Sequence, residues 1–544
     1  MSAPERIVSE LLSVYDQPDA NAVELLCRRH PSGAVAFTVI EPDLSSRDVT
    51  FGELEEASGR FAAGLAALGV SAGDRVATLM GKSAELVIVL LGIWRLGAVQ
   101  VPLFTAFAPP AIALRVTGNN TTAIVVDPSQ RAKLDPGDDI PADPGWTIIT
   151  TGEATGQDVS FGDLLATDRP VPEPVAVGGD GILVELFTSG TTGTPKGVPV
   201  SLRALAGVHA YQVLGLDHTS EDVFWNAADP GWAYGLYYAV VGPLASGRRS
   251  LLLRAGFSPE LTWQVLSRFG VTNFAAAPTV YRALRNADVP VPKDLKLRRC
   301  SSAGEPLTPD VVTWAGRELG LPVRDHYGQT ETGMTVVNAW HPDLLATVKP
   351  GSMGRALPGW RVEVLRPDAD EVAATNEVGR VAINVPDSPL MWFTGYGNAP
   401  DRTAERFSAD GRWYYTGDIA AKDSDGCLTF GSRDDDVILM AGYRIGPFEV
   451  ESALLQHPAV AEAAVVGEPD ELRGEVVVAY VVTQPGTGTG DALVGELQQL
   501  VKTRLAAHAY PRRIHFIDEL PKTPSGKIQR FLLRQRQAAA PSAT

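Results

Sequence analysis

Leu183-Val-Glu-Leu-Phe187-Thr-Ser-Gly-Thr-Thr-Gly-Thr-Pro-Lys-Gly197 joins a short apolar run to a loop of glycines, hydroxyls and one lysine. The run Leu183 to Phe187 reads as a strand, so the loop leaves the edge of a sheet. Gly190, Gly193 and Gly197 accept positive φ and close backbone approach. Successive N–H groups in such a loop form an anion-binding concavity. The hydroxyls of Thr188, Ser189, Thr191, Thr192 and Thr194, with Lys196 after Pro195, add donors around it. The ending lacks the Gly-Lys-Ser/Thr of a Walker loop. The segment is therefore a polyphosphate cradle of another kind.

Outward from this loop, helix-length and strand-length patterns alternate. Phe51-Gly-Glu-Leu opens a helical stretch to Leu68, and Arg75-Val-Ala-Thr-Leu79 is strand-like. A helix over Ala84–Leu96 precedes Ala98-Val-Gln-Val-Pro102, and Ala123-Ile-Val-Val-Asp127 reads as a buried strand. The alternation returns through Arg248–Leu253, Thr262–Phe269 and Val271–Ala277. Strands separated by helices imply βαβ units and a mostly parallel sheet. From about Ser352 to Asp387 short strands with frequent turns take over, as in a small β-barrel or open sheet. Arg433-Asp434-Asp435-Asp436 is a charge cluster that composition alone makes a solvated turn, and a compact α+β pattern follows through Arg534. Gln484-Pro-Gly-Thr-Gly-Thr-Gly490 reads as a surface loop without the strand–helix flanks of a phosphate loop.

Composition narrows the function. With 47 Lys+Arg against 64 Asp+Glu, the 544-residue chain carries a net charge of −17, the opposite of a nucleic-acid footprint. An anionic ligand must therefore be held by local cations and backbone N–H groups. Cys27, Cys300 and Cys427 stand too far apart for a disulfide framework or zinc spacing, which points to a reducing, cytoplasmic compartment. The start carries no secretory pattern. The most apolar run, Leu86 to Trp94, is closed by Arg95 and falls well short of the roughly 20 residues a spanning helix needs; it predicts a buried helix.

Further segments follow the loop in order: Ala303-Gly-Glu-Pro306, Tyr327-Gly-Gln-Thr-Glu-Thr-Gly333, Tyr415-Thr-Gly-Asp418, Gly431-Ser-Arg433, Gly442-Tyr-Arg444 and Pro521-Lys-Thr-Pro-Ser-Gly-Lys527. Together with Thr188–Lys196 this series resembles the adenylate-forming superfamily of acyl-CoA synthetases, luciferases and peptide-synthetase adenylation domains. Ala441-Gly-Tyr-Arg-Ile-Gly-Pro447 and Tyr510-Pro-Arg-Arg513 look most like its medium-chain acyl-CoA synthetase branch, neighbouring the acetyl-CoA synthetases. The resemblance implies a large α/β domain over residues 1–434, with two mixed α/β subdomains and a small β-barrel. A small mobile α+β domain over residues 435–544 follows, hinged at Asp435, which overturns the solvated-turn reading of that cluster.

It also implies an ATP-dependent acyl-CoA synthetase that makes acyl-AMP with Mg2+ and then passes the acyl group to CoA. Thr188–Lys196 would hold the β- and γ-phosphates, Glu331 would ligate Mg2+ and Thr330 would donate to the α-phosphate. Gly304, Glu305 and Pro306, with Asp325, His326, Tyr327, Gly328 and Gln329, would flank adenine. Asp418 would take the ribose hydroxyls, supported by Arg433. Arg444 would contact the adenylate phosphate, and Lys527 would bridge carboxylate and α-phosphate. Ala441, Gly442, Tyr443, Arg473, Lys502 and Tyr510 match positions that contact CoA. Trp232, Ala233, Tyr234, Ala303 and Gly328 would line the acyl pocket. Acetyl-CoA synthetases carry a bulky Trp where Gly328 stands, so the expected substrates are short- to medium-chain or small branched or aromatic acids. The alternatives are loading of a carrier-protein phosphopantetheine, or a preference for acetate or propionate.

Overall fold

A reciprocal cap starts the helix Phe51–Ala67: Thr50 Oγ1 accepts from the Glu53 N–H, and the Glu53 carboxylate accepts from the Thr50 N–H. Caps of this kind contribute about 1 kcal/mol. Ser83 caps the helix Ala84–Arg95 through the Leu86 N–H at 3.1 Å. Its apolar run is buried, and at its end the fully buried Arg95 meets Glu55 at 2.6 Å and the Pro172 carbonyl at 3.2 Å. A buried guanidinium needs such partners. Among the described residues, no helix is long and apolar enough to cross a membrane.

The computed structural model of the chain describes residues 2–188, 195–349, 351–440, 443–470, 473–506, 509–523 and 527–539. Ser189–Thr194, Ala441 and Gly442 lie outside them, as do the side chains of Tyr443 and Arg444.

Two mixed sheets build the large N-terminal α/β domain. In the first, Val159–Ser160, Thr147–Thr150, Thr121–Val126, Arg75–Leu79, Val99–Pro102 and Ile182–Thr188 run parallel in that spatial order, and Lys196–Ser201 closes the edge antiparallel to Ile182–Thr188. The second has a parallel centre of Val323–Gln329, Arg299–Ala303, Asn273–Ala276, Phe224–Asn226, Ser250–Leu253 and Val35–Ile40. Gly333–Val337 adds antiparallel to Val323–Gln329 and continues into Ser352–Ala356, Leu428–Arg433, Trp413–Lys422, Val378–Asn384 and Val362–Leu365. The short strands read as a small barrel or open sheet are thus hydrogen-bonded onto the large sheet as an open antiparallel extension. It is open at Val362–Leu365 because the chain pairs outward instead of back on itself.

A separate small sheet follows, ordered Tyr443–Ile445, Ile438–Met440, Gly474–Thr483, Val460–Asp470, with Arg513–Phe516 parallel to Gly474–Thr483. Its own apolar core runs from Ile438 to Leu533 under the helices Pro447–Leu454 and Asp491–Arg504. The glycine-rich segment after Gln484 does lie between a strand, Gly474–Thr483, and a helix, Asp491–Arg504, contrary to expectation. Its glycines Gly488 and Gly490 face open space.

Candidate active site

The site begins at the carboxyl ends of two neighbouring parallel strands, Arg299–Ala303 and Val323–Gln329, where open α/β sheets gather ligands. Ala303 is buried, and Gly304 turns with φ +107°, a conformation only glycine takes freely. A Cβ at Gly304 would stand 3.1 Å from the Trp232 indole, so the glycine also admits that ring. Glu305 accepts from the Thr279 N–H at 3.1 Å and from Arg282 at 2.9 Å. After Pro306, the Leu307 N–H donates to the Asp325 carboxylate at 3.3 Å. These bonds fix the turn that borders the expected adenine position.

Two expectations change here. The His326 imidazole is buried, 2.6 Å from the Tyr211 hydroxyl and 3.2 Å from the Asn338 carbonyl, and burial pushes its pKa down to about 3. It is a neutral core group, and its side chain does not face the cleft. At Gly328 a Cβ would lie 2.1 Å from the Gly333 carbonyl, because the strand pairing is irregular between Tyr327 and Gly328. The backbone itself demands glycine, so no side chain could stand as a pocket wall without moving this turn. Tyr234 is buried, its ring 5.9 Å from Trp232 and 5.5 Å from Tyr238. Ala233 and Trp232 pack at the margin of the main core.

Asp418 anchors the opposite wall. It is 4% exposed and lies across a strand pair from Arg433. Its carboxylate accepts from Tyr327 Oη at 2.5 Å, Gln329 Nε2 at 2.7 Å and Arg433 Nη1 at 2.9 Å. Gln329 also donates to the Thr416 carbonyl at 2.8 Å and accepts from Tyr414 at 3.1 Å. Burial and then the Asp418 charge push the Tyr327 phenol well above its usual range, so it stays a donor. The Asp418 charge likewise raises the Arg433 pKa.

On the phosphate side, Thr188 and Lys196 face each other across the antiparallel pair that carries the loop. A Cβ on Gly197 would meet the Glu185 carboxylate at 2.6 Å; glycine lets that acid tuck beneath the strand and pair with Arg75 at 3.1 Å. Gly197 in turn bridges to Gly397, whose N–H donates to its carbonyl at 2.9 Å. The Lys196 ammonium lies 4.9 Å from the centroid of the Tyr396 ring. Burial, then Arg406 and Arg402, lower its pKa. Glu331 is 7% exposed and accepts from Tyr396 Oη at 2.7 Å, while Tyr237 donates to the Thr330 carbonyl at 3.1 Å. Among the described residues no group of three or more His, Cys, Asp or Glu stands together as a metal cage. A single buried carboxylate suits Mg2+, which is often held by one or two carboxylates with phosphate and water oxygens.

The small domain contributes Lys527. Its side chain is exposed to solvent. Desolvation, then the Arg433 charge, lower its pKa, against the opposing pull of Glu305, Asp418 and Glu331. Asp435 lies in the single turn Asp434–Asp436, its carboxylate 3.8 Å from Arg433. The Lys502 ammonium lies 4.0 Å and the Arg512 guanidinium 3.8 Å from the Tyr510 ring centroid. Arg473 pairs with Asp470 at 3.7 Å and is close enough to help lower the Arg512 pKa, after burial.

Tyr396, Arg406 and Arg512 were not foreseen as site residues. A tyrosine between Gly395 and Gly397 and the doubled arginine after Pro511 were the available signals. A cavity of about 940 Å³ between the first helix, Ala3–Tyr15, and the segment 342–361 is lined by none of the expected site residues.

Comparison with known proteins now gives the class. The AMP-binding enzyme family matches residues 23–396, and its C-terminal domain matches residues 449–527. The chain belongs to this family of adenylate-forming enzymes. The acetyl-coenzyme A synthetase of Bacillus subtilis (strain 168) is 36% identical over 508 residues, 91% of this chain and 86% of that protein. The mitochondrial acyl-coenzyme A synthetase ACSM3 of Rattus norvegicus is 36% identical over 505 residues, 90% and 84% of the two chains. A crystal structure of a Brucella canis acyl-CoA synthetase is 44% identical with a TM-score of 0.73, covering 98% of this chain and 97% of that one. The anthranilate CoA ligase AuaEII, in complex with anthranoyl-AMP, is 28% identical with a TM-score of 0.83 over 96% and 98%. The protein is an AMP-forming acid–CoA ligase acting on a carboxylic acid, ATP and CoA.

Proposed function

We propose that this ligase activates a short- to medium-chain, or small branched or aromatic, carboxylic acid. It forms acyl-AMP with release of pyrophosphate, then transfers the acyl group to the CoA thiol with release of AMP. The observation that carries the first half is the buried Asp418 carboxylate, which Tyr327, Gln329 and Arg433 hold at the end of the strands that also carry Glu305 and Glu331. Two anions must meet when a carboxylate attacks the α-phosphate, so catalysis rests on positioning and charge neutralisation. Thr188–Lys196 grips the β- and γ-phosphates and Thr330 donates to the α-phosphate. Gly304–Pro306 and Asp325–Gln329 border adenine, with His326 contributing main chain alone. Asp418 accepts from the ribose hydroxyls beside Arg433. Lys527, with Arg444, holds the attacking carboxylate against the phosphorus. Glu331 would hold a Mg2+ carried by ATP, which when bound offsets the charge of the polyphosphate.

In the second half the small domain, residues 435–544, turns about Asp435 and withdraws Lys527. The face of Ala441, Gly442 and Tyr443 then lines the thiol path. Arg473, Lys502, Tyr510 and Arg512 supply cations and an aromatic surface for CoA, which the −17 net charge otherwise disfavours.

The substrate class is supported by the Trp232 ring over Gly304 and by Gly328, whose backbone has no room for the tryptophan of acetate enzymes. An aromatic wall without that plug suits carbon chains beyond acetate, with broad selectivity, since one methylene is worth about 1–3 kcal/mol. The three cysteines are free and buried, which accords with the proposed cytoplasmic location; ACSM3 of the rat is mitochondrial by name. The test is a pyrophosphate-release screen over acids from C2 to C12, benzoate and isobutyrate, with and without CoA, and products weighed by mass. A maximum between butyrate and octanoate, or at a small branched or aromatic acid, with the matching thioester, is expected. A higher kcat/KM for acetate than for every longer acid overturns the substrate class, and adenylate without thioester overturns CoA as acceptor.

A further inference from the structure

Tyr396 stands where three segments of the site meet. Its hydroxyl donates to Glu331 Oε1 at 2.7 Å and accepts from Arg406 Nε at 3.2 Å. Its ring carries the Lys196 ammonium 4.9 Å from the centroid. Arg406 also donates to the Tyr415 carbonyl at 3.3 Å, beside the turn that leads to Asp418. The tyrosine cannot swing away. It is 6% exposed, its ring packs edge-on to Phe393 at 5.1 Å, and its N–H donates to Thr403 Oγ1 at 2.9 Å. One residue on, Gly397 is bridged to Gly197, the residue after Lys196.

We propose that Tyr396 is a positioning residue that holds Glu331 and Lys196 in one rigid frame for the metal-bound polyphosphate. The proposal deepens the ligase reading and rests on it. The phenol occupies Glu331 Oε1, and among the described residues Oε2 carries no hydrogen bond. One oxygen is fixed and the other is left to a cation. A hydrogen bond of this kind fixes the orientation of the carboxylate. The ring also gives Lys196 a face to rest on. Without that arrangement Lys196 and Glu331, opposite charges in one cleft, are free to pair with each other, and the pair would compete with the ligand for both groups.

Tyr396→Phe removes the hydroxyl and keeps the ring. Binding of Mn2+–ATP, read by electron paramagnetic resonance of the ion, needs no acid and no turnover. The expected result is a loss of affinity of about 10- to 100-fold, the range for a hydrogen bond to a charged group, in a protein that stays folded at the assay temperature although its thermal unfolding comes earlier by the loss of one buried hydrogen bond. In the Glu331→Gln background the same substitution should change affinity by less than about twofold, because its partner's charge is already gone. Unaltered Mn2+–ATP binding in Tyr396→Phe overturns the proposal, and so does an equal loss in the Glu331→Gln background. If the unsubstituted protein binds Mn2+–ATP but adenylates no acid, the ligase substrate reading fails, while Tyr396 is still judged by the binding ratio.

Discussion

Asp418 is 4% exposed and receives hydrogen bonds from Tyr327, Gln329 and Arg433, all on its own domain. Lys527 is solvent-accessible and belongs to the small domain, where its N–H is held by Thr523 Oγ1 at 3.0 Å. The first group is fixed before any ligand arrives, and the second, in the proposed mechanism, reaches the site across a domain boundary. Groups that hold a ligand still can be bonded on every side, because preorganisation lowers the cost of binding. A group that acts in one half-reaction and leaves in the next must be free of such ties.

The largest effect should come from Lys527, the group proposed to leave between the half-reactions. Lys527→Ala is expected to slow adenylation by about 100- to 1000-fold, the scale of removing one electrostatic stabiliser. Thioester formation from preformed acyl-AMP should fall by less than about threefold, and stability should stay within about 0.5 kcal/mol. Stopped-flow assay of each half-reaction checks this, and equal loss in both breaks the contrast. The lowered Lys527 pKa has a definite sign. The ammonium is lost at lower pH than an ordinary lysine's, near 10.4, so kcat/KM for ATP should decline on the alkaline side below that value. Lys527→Arg should move that limb upward.

Asp418→Asn tests the fixed side. The amide no longer matches three donors, so nucleotide affinity is expected to fall by about 30- to 100-fold in both half-reactions. Stability should fall by about 1–2 kcal/mol, the partial solvent access of Arg433 moderating the loss. Calorimetry with AMP and thermal unfolding together measure it. A loss confined to adenylation would erase the distinction between the two sides. The smallest effect belongs to the cationic face of the small domain. Arg512→Ala should raise KM for CoA about fivefold and leave pyrophosphate release within about twofold, as steady-state titration of CoA would report.

The phosphate loop, the Tyr327–Gly333 and Tyr415–Asp418 segments and Lys527 were legible in the chain as local patterns. The loop's hydroxyls, glycines and lysine read as donors for phosphate from their residue types alone, whereas the roles expected of the other three came from their resemblance to a family's motifs. The alternation of helices and strands from Phe51 to Ala277 was legible for the same reason, since apolar periodicity is a local property. That the His326 imidazole turns into the core was not legible, because the residue belongs to a segment expected at the cleft. Strand geometry sends successive side chains to opposite faces, and Tyr211 and Asn338 capture the imidazole from elements remote in sequence.

Sequence by itself determined the family, the two-sheet α/β body with its small partner, and the identity of the charges available to ATP. Only the tertiary structure decided which of those charges meet. Tyr396 became the link between Lys196 and Glu331 because Gly397 bridges to Gly197 and Arg406 lies behind the phenol. Gly328 proved indispensable because Gly333 passes 2.1 Å from where its Cβ would stand. Both are contacts between segments that no local pattern encodes, since they exist only once the sheets have packed and brought distant backbone within hydrogen-bonding or steric range.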